Sequence, residues 1–189
     1  MNNLKTVRML LAFGVIVLIT VDQLVKEWAR ATLMPPDGLI SFPVIEGFFG
    51  FRWAINTGAA FGIFPGGRWI FVGLTIVIIV VVLLYESTLP HTKQNLWQRV
   101  IIMLILAGGI GNFIDRLLFG YVVDMFEFLF ISFPIFNVAD ILVVVGVFGY
   151  VFYEIISTIL AKKQEKAAEL GTSETIGTIE TTKTAEKAK

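Results

Sequence analysis

Gly108-Gly109-Ile110-Gly111-Asn112-Phe113-Ile114-Asp115-Arg116 is followed by Val122-Val123-Asp124 and then by Phe136-Asn137-Val138-Ala139-Asp140. Three aspartates thus fall between positions 115 and 140, framed by long apolar runs. An ionisable group at membrane depth costs several kcal/mol unless it is paired or faces a polar cavity. Such groups are functional candidates by default. Two carboxylates brought together are the minimal kit for acid–base hydrolysis.

The surroundings of this stretch decide the fold class. Of 189 residues, 56% are hydrophobic, and the mean hydropathy is +0.81. A soluble domain has roughly 45–50% apolar residues. The excess is gathered into runs, which points to an all-α integral membrane protein with four transmembrane helices. Only helices satisfy their own backbone in lipid at this size. Expected spans are about 9–28, 69–86, 97–115 and 138–160, each near the roughly 20 residues that cross a bilayer. Lys5 and Arg8 before the first run resemble the start of a signal peptide. The run is long enough to span and lacks a small-residue cleavage site, so a retained first helix is expected.

Between the first two helices, about 34–66 is rich in Pro, Gly and aromatics. Ile40 to Ile45 and Phe48 to Ile55 read as short strands around a Glu46-Gly47 turn. A small β-element on the outer membrane face is expected, its Phe42, Phe48, Phe49, Phe51 and Trp53 suiting the interfacial zone. Gly120 to Pro134 is apolar but too short to cross and return; an interfacial or re-entrant stretch is expected. Residues 1–161 form the membrane domain. The tail, 162–189, is Lys, Glu, Thr and Ala with little to bury, and should be disordered or loosely helical.

Composition also excludes functions. Net formal charge is zero, which argues against nucleic acid as a partner. With no cysteine and a single His91, thiol catalysis, a histidine triad and a Cys/His metal site are not expected. No metal or cofactor is called for. Four helices put both termini on one side. That side carries Lys5, Arg8, Lys93, Arg99, Lys162, Lys163 and Lys166, against Lys26, Arg30, Arg52, Arg68 and Arg116 on the other. The excess favours cytoplasmic termini. Asp22, Lys26, Asn56, Asn112, Asp115, Asp124, Asn137 and Asp140 then all fall near the outer face.

Each polar residue has a bland reading. Asp22 and Lys26 at i and i+4 make a local ion pair. Asn137 would cap a helix with Asp140 at its third position, which pattern alone favours over catalysis. Asp115-Arg116 would be a charge pair at a helix end. Ala107, Gly108 and Gly111 fit close helix packing. Asn56-Thr57-Gly58 is a turn. Asp124 resists such a reading: Val122, Val123, Met125 and Phe126 surround it, and a carboxylate there should have a raised pKa unless partners supply hydrogen bonds.

Five blocks occur in order: Asp22-Gln23-x-x-Lys26, Asn56-Thr57-Gly58-Ala59-Ala60-Phe61, Gly111-Asn112-x-x-Asp115-Arg116, Val122-Val123-Asp124 and Phe136-Asn137-x-Ala139-Asp140. In these the chain, from about 8 to 160, closely resembles the lipoprotein signal peptidases (signal peptidase II). Met125 stands where the family block usually has Phe. The resemblance implies an aspartic endopeptidase of the bacterial inner membrane. Its substrate would be a diacylglyceryl-modified prolipoprotein, cut before the lipidated cysteine, with membrane lipid as the other partner and a monomer as the working unit. It implies Asp124 and Asp140 as the catalytic pair. Asp22, Lys26, Asn56, Gly58, Asn112, Arg116, Asn137 and Ala139 would shape or support the site, and Asp115 would be structural. The alternative from another class is a small proton-linked transporter using Asp22, Asp115, Asp124 and Asp140 as a relay. A non-enzymatic scaffold leaves Asp124 unexplained.

Overall fold

The computed structural model describes residues 2–34, 41–58, 66–90 and 95–187, with side chains described from 5 to 166 within those ranges. Seven elements follow in order: α1 (Asn2–Thr32), β1 (Ser41–Ile45), β2 (Phe49–Asn56), α2 (Arg68–Thr88), α3 (Leu96–Leu118), β3 (Val122–Phe128) and α4 (Val138–Lys187). The chain divides into two units, Met1–Gly149 and Tyr150–Lys189. The second consists of the continuation of α4, whose helical assignment runs through the charged tail as far as Lys187.

Four helices are long and apolar enough to cross a membrane, within Lys5–Thr32, Arg68–Thr88, Leu96–Leu118 and Val138–Lys166. They differ in how much apolar surface they hide. In α3, 39% of the apolar window is buried, against 6–11% in the other three. α3 is therefore the inner helix, packed by α1 and α2, and the others turn most of their Val, Ile, Leu and Phe outward, as lipid-facing helices do. Small residues bring α4 close to it. A Cβ on Gly108 would collide with the Ala139 carbonyl and Val143, and one on Gly146 with Ile105. These contacts follow the small-residue packing expected for the glycine stretch.

β1 and β2 form the expected hairpin, with Gly47 at positive φ in its turn. The sheet has a third strand that the sequence reading did not foresee. β3 pairs antiparallel with β2, giving the order β1-β2-β3. The stretch expected to be interfacial or re-entrant is thus a strand over Val122–Phe128. A short apolar run without alternation carries no periodic signal to separate the two readings. Alternation is missing because β3 is covered on both faces: Val122, Val123, Asp124 and Met125 are all buried. Val123 and Met125 pack with Ala29, Leu33 and Trp53 into a core that ties the sheet to α1. Within the 34–66 stretch the described residues form strands over Ser41–Ile45 and Phe49–Asn56. Residues 35–40, and with them Ile40, lie outside the described residues, as do Ala59-Ala60-Phe61 and His91.

Candidate active site

The C-terminal halves of α1 and α3, the start of β3 and the N-terminus of α4 meet at one end of the bundle. On α1, Asp22, Lys26 and Arg30 recur every four residues and therefore share a face. Asp22 and Lys26 are wholly buried. The Lys26 ammonium lies 2.9 Å from Asp22, 3.3 Å from Asp115 and 2.9 Å from the Asn112 side-chain oxygen. The expected Asp22–Lys26 pair is present, and it belongs to a larger network.

Asp115 is the second wholly buried carboxylate. Besides Lys26 it pairs with Arg30 at 3.3 Å, and it accepts the backbone N–H of Val123 at 3.0 Å. The Asp115–Arg116 pair read from sequence does not form. Adjacent helical residues point about 100° apart and cannot face each other. Arg116 instead donates to the Gly58 carbonyl at 2.9 Å and to the Asn112 carbonyl at 3.4 Å. Asn56 accepts the Gly58 N–H at 3.0 Å, forming the expected turn. Arg116 therefore ties that turn to the end of α3.

Asn137 and Asp140 open α4 as a reciprocal cap. The Asp140 N–H donates to Asn137 Oδ1 at 2.9 Å, and the Asn137 N–H donates to Asp140 Oδ2 at 3.1 Å. This satisfies two of the backbone donors that a helix start leaves free. Asp22, from α1, accepts a third from Ala139 at 2.8 Å. Gly111 must lack a side chain here, because a Cβ on it would lie 2.5 Å from an Asp22 oxygen and 3.3 Å from the Ala139 methyl group.

The expected cap is present, and it also connects Asp140 to Asp124, because the same Asn137 reaches both. Its Nδ2 donates to Asp124 Oδ1 at 2.6 Å, to Asn112 Oδ1 at 3.2 Å and to the Val123 carbonyl at 3.3 Å. Asn112 Nδ2 in turn donates to Asp140 Oδ1 at 2.8 Å. Asp124 and Asp140 are therefore bridged by amides, and neither forms an ion pair among the described residues. Burial pushes the Asp124 carboxyl up from 3.8 to about 7; the neighbouring charge of Asp140 adds to this, while Asn137, Lys26 and Asn56 oppose it. Asp124 also lines a cleft of about 240 Å³ with Ala54, Ile55, Asn56, Thr57, Pro134 and Ile135.

Every candidate residue on α1, α3, β3 and the α4 start is joined by these contacts. The Asn56–Gly58 turn reaches the group through Arg116 and through the Asn56–Asp124 hydrogen bond. Sequence reasoning passed over Gln23 and Arg30. Gln23 Nε2 lies 3.1 Å from Asp22, 3.1 Å from the Gly111 carbonyl and 3.3 Å from Asp115. The four-residue recurrence from Asp22 through Lys26 was the available signal for Arg30. For Gln23 there was only its place beside Asp22.

Comparison with known proteins bears on the family. A family model described as signal peptidase (SPase) II matches residues 14–156. Lipoprotein signal peptidases of Streptococcus pyogenes serotypes M6 and M5 are each 40% identical over 138 residues, covering 73% of this chain and 88% of the relative. Among solved structures, a bacterial membrane enzyme determined by the in meso method at 2.3 Å resolution aligns with a TM-score of 0.69 and 33% identity, over 78% of this chain and 88% of that one. A second, at 1.9 Å resolution, aligns with a TM-score of 0.63 and 33% identity, over 75% and 90%. The chain belongs to the signal peptidase II family.

Proposed function

We propose that this protein is a membrane aspartic endopeptidase that removes signal peptides from diacylglyceryl-modified prolipoproteins, cleaving before the lipidated cysteine. The observation that carries the residue assignment is Asn137. It holds Asp124 with its side chain and Asp140 with its backbone N–H, so two carboxylates from different elements face one reaction centre. Family membership replaces the transporter reading. Among the described residues, moreover, the buried acids gather at one end and outline no path along the membrane depth.

The chemistry follows from the unequal settings of the pair. Asp140 receives N–H donors on both oxygens, at 2.8 and 3.1 Å, and sits in the first turn of α4, where the helix dipole favours negative charge. It serves as the base. Asp124 titrates near 7 and enters the reaction protonated. Asp140 takes a proton from water as the water oxygen bonds to the scissile carbonyl carbon. Asp124 gives its proton to the carbonyl oxygen, forming a gem-diol. On collapse the C–N bond breaks, the leaving amine takes the proton from Asp140, and a gem-diol hydroxyl returns a proton to Asp124. The starting protonation states are restored. As coupled groups, the two titrate as a pair.

The remaining assignments belong to the same proposal. Lys26, Asp22, Asn112, Asn56, Gly58, Arg116 and Ala139 hold the pair in place, and Asp115 is structural. Both termini face the cytoplasm and the site faces outward, as the distribution of Lys and Arg favours. The lipid of the substrate would then fix the cysteine at the depth of the site. The protein works as a monomer, and the tail from 162 takes no part in catalysis. Incubation of the purified protein with a diacylglyceryl-modified prolipoprotein tests the activity: release of the signal peptide is expected, and its absence overturns the reading. Because the chain has no cysteine, single cysteines introduced at Phe48 and at Thr6 test orientation. An impermeant thiol reagent on intact cells should label the first and spare the second.

A further inference from the structure

Lys26 is wholly buried, carries three N–H donors and accepts none. Each of its three near neighbours is an oxygen: Asp22, Asp115 and Asn112 Oδ1. Asn112 Oδ1 also faces the Asn137 amide nitrogen at 3.2 Å. Turning the Asn112 amide over would set its NH2 against an ammonium and against another NH2. Its oxygen must therefore point to Lys26 and its nitrogen to Asp140. Asn137 is fixed in the same way, because its Oδ1 accepts the Asp140 N–H and its Nδ2 is left to donate to Asp124.

We propose that Lys26 is a positioning residue that sets the direction of an amide relay, Lys26 to Asn112 to Asp140, so that Asp140 always receives a donor and the catalytic pair stays asymmetric. This rests on the proposed function and deepens it. Without Lys26, the Asn112 oxygen keeps only the 3.2 Å contact from the Asn137 NH2, which Asp124 and the Val123 carbonyl share; the amide then turns its oxygen toward Asp140 more readily, and Asp140 loses its donor. Lys26 thus acts through Asn112, in addition to its direct charge. The charged groups facing Asp140 are Asp22 and Lys26 from α1, Arg116 from α3 and Asp124 from β3.

The test is a pH–rate profile for cleavage of a diacylglyceryl-modified prolipoprotein by the purified protein and by Lys26→Met, Asn112→Leu and the double variant. Wild-type cleavage establishes the underlying reading; an inert wild type defeats that reading and leaves the relay without a reaction to act on. Given wild-type cleavage, Lys26→Met and Asn112→Leu should each lower kcat by at least about tenfold, with a smaller change in KM. Each should move the acid limb upward by roughly one pH unit, the scale of a lost donor to a carboxylate. In the double variant the effects should be strongly non-additive, because both changes break one relay. Full additivity, or an acid limb that stays put in Asn112→Leu, overturns the proposal and leaves Lys26 acting by charge alone. Lys26→Met strands Asp22 and Asp115; where it fails to fold, the charge-balanced Asp22→Asn/Lys26→Met pair replaces it, with Asp22→Asn as its reference. Lys26→Arg keeps a donor-only cation and should restore the acid limb; failure to do so also counts against the relay.

Discussion

Both ends of the helix bundle carry buried charge, and they hold it in different ways. At the end away from the sheet, Glu86 near the end of α2 pairs with Arg99 at the start of α3 and lies 3.9 Å from Arg8 of α1. Arg99 also donates to the Leu89 carbonyl at 3.0 Å. One acid meets two cations, and the group ties the end of α2 to the start of α3. At the sheet end four acids converge. Asp22 and Asp115 have Lys26 and Arg30 as ion-pair partners, while among the described residues Asp124 and Asp140 form no ion pair and are held by neutral amides and a backbone N–H group. An acid held by a cation has its charge balanced by a fixed partner and serves structure. An acid held by amides keeps its proton negotiable, which acid–base chemistry requires. The proposed division between structural and reactive aspartates is thus a division between kinds of partner.

The largest expected effect breaks that division at the reactive pair. Asp124→Asn or Asp140→Asn should reduce cleavage of a lipid-modified substrate by about a thousandfold or more, within the range that general acid–base catalysis contributes. Neither change removes a cation's partner, so folding should survive. Turnover assays beside thermal unfolding of the purified variants read both quantities. Normal turnover by either variant sinks the dyad.

Asp115→Asn should do the reverse. Its carboxylate is wholly buried between Lys26, Arg30 and the Val123 N–H. Removing its charge leaves two cations partly uncompensated, a change that typically costs about 3 kcal/mol or more. Yield and Tm should fall sharply, while kcat per folded molecule stays within about tenfold. A stable variant that is wholly dead would place Asp115 among the reactive acids instead.

Much of this was readable in the sequence, and the losses have physical causes. Four helices follow from apolar runs of spanning length, and the β1–β2 hairpin follows from its aromatic strands around Glu46-Gly47. Asn137 and Asp140 were readable as a cap. Nothing local showed that the Asn137 side chain also reaches β3, because that contact spans 13 positions and depends on where β3 runs. β3 itself was hidden because burial on both faces erases the alternation that marks a strand. The Asp115–Arg116 pairing failed for a related reason: adjacency in sequence was taken for adjacency in space. The cations that do pair with Asp115, Lys26 and Arg30, lie 89 and 85 positions away on another helix.

Titration sharpens the comparison on a smaller scale. Asp124 has a folded pKa of about 7 against an ordinary 3.8. Between those values the folded protein keeps a proton that the unfolded chain has released. Its contribution to stability is therefore complete below about 4, falls as pH rises through this window and is constant above about 7. Asp124→Asn does not titrate. Its Tm relative to wild type should climb across the window and level off near 7, and wild-type cleavage should decline above about 7 as the acid loses its proton. Thermal unfolding of both proteins from pH 4 to 9 reads the first; a Tm difference that is flat with pH contradicts the protonated acid.

The smallest effect belongs to the far end. Glu86→Gln removes the charge facing Arg99 but leaves an amide oxygen to accept from it, and Arg99 keeps the Leu89 carbonyl. Arg8 is half exposed and already solvated, so little is lost there. The loss should be about 1 kcal/mol, a fall in Tm of roughly 2–4 °C for a chain of this size. Activity and its pH profile should be unchanged, since nothing at this end touches the relay or the cleft. The value of this variant is as the counterpart of Asp115→Asn: both take away an acid held by cations, at opposite ends of α3. If Glu86→Gln alters the pH profile of cleavage, the two ends are coupled through α3 and the division between structural and reactive charge does not hold. If it lowers Tm alone, the reactive behaviour resides in how the amides hold Asp124 and Asp140.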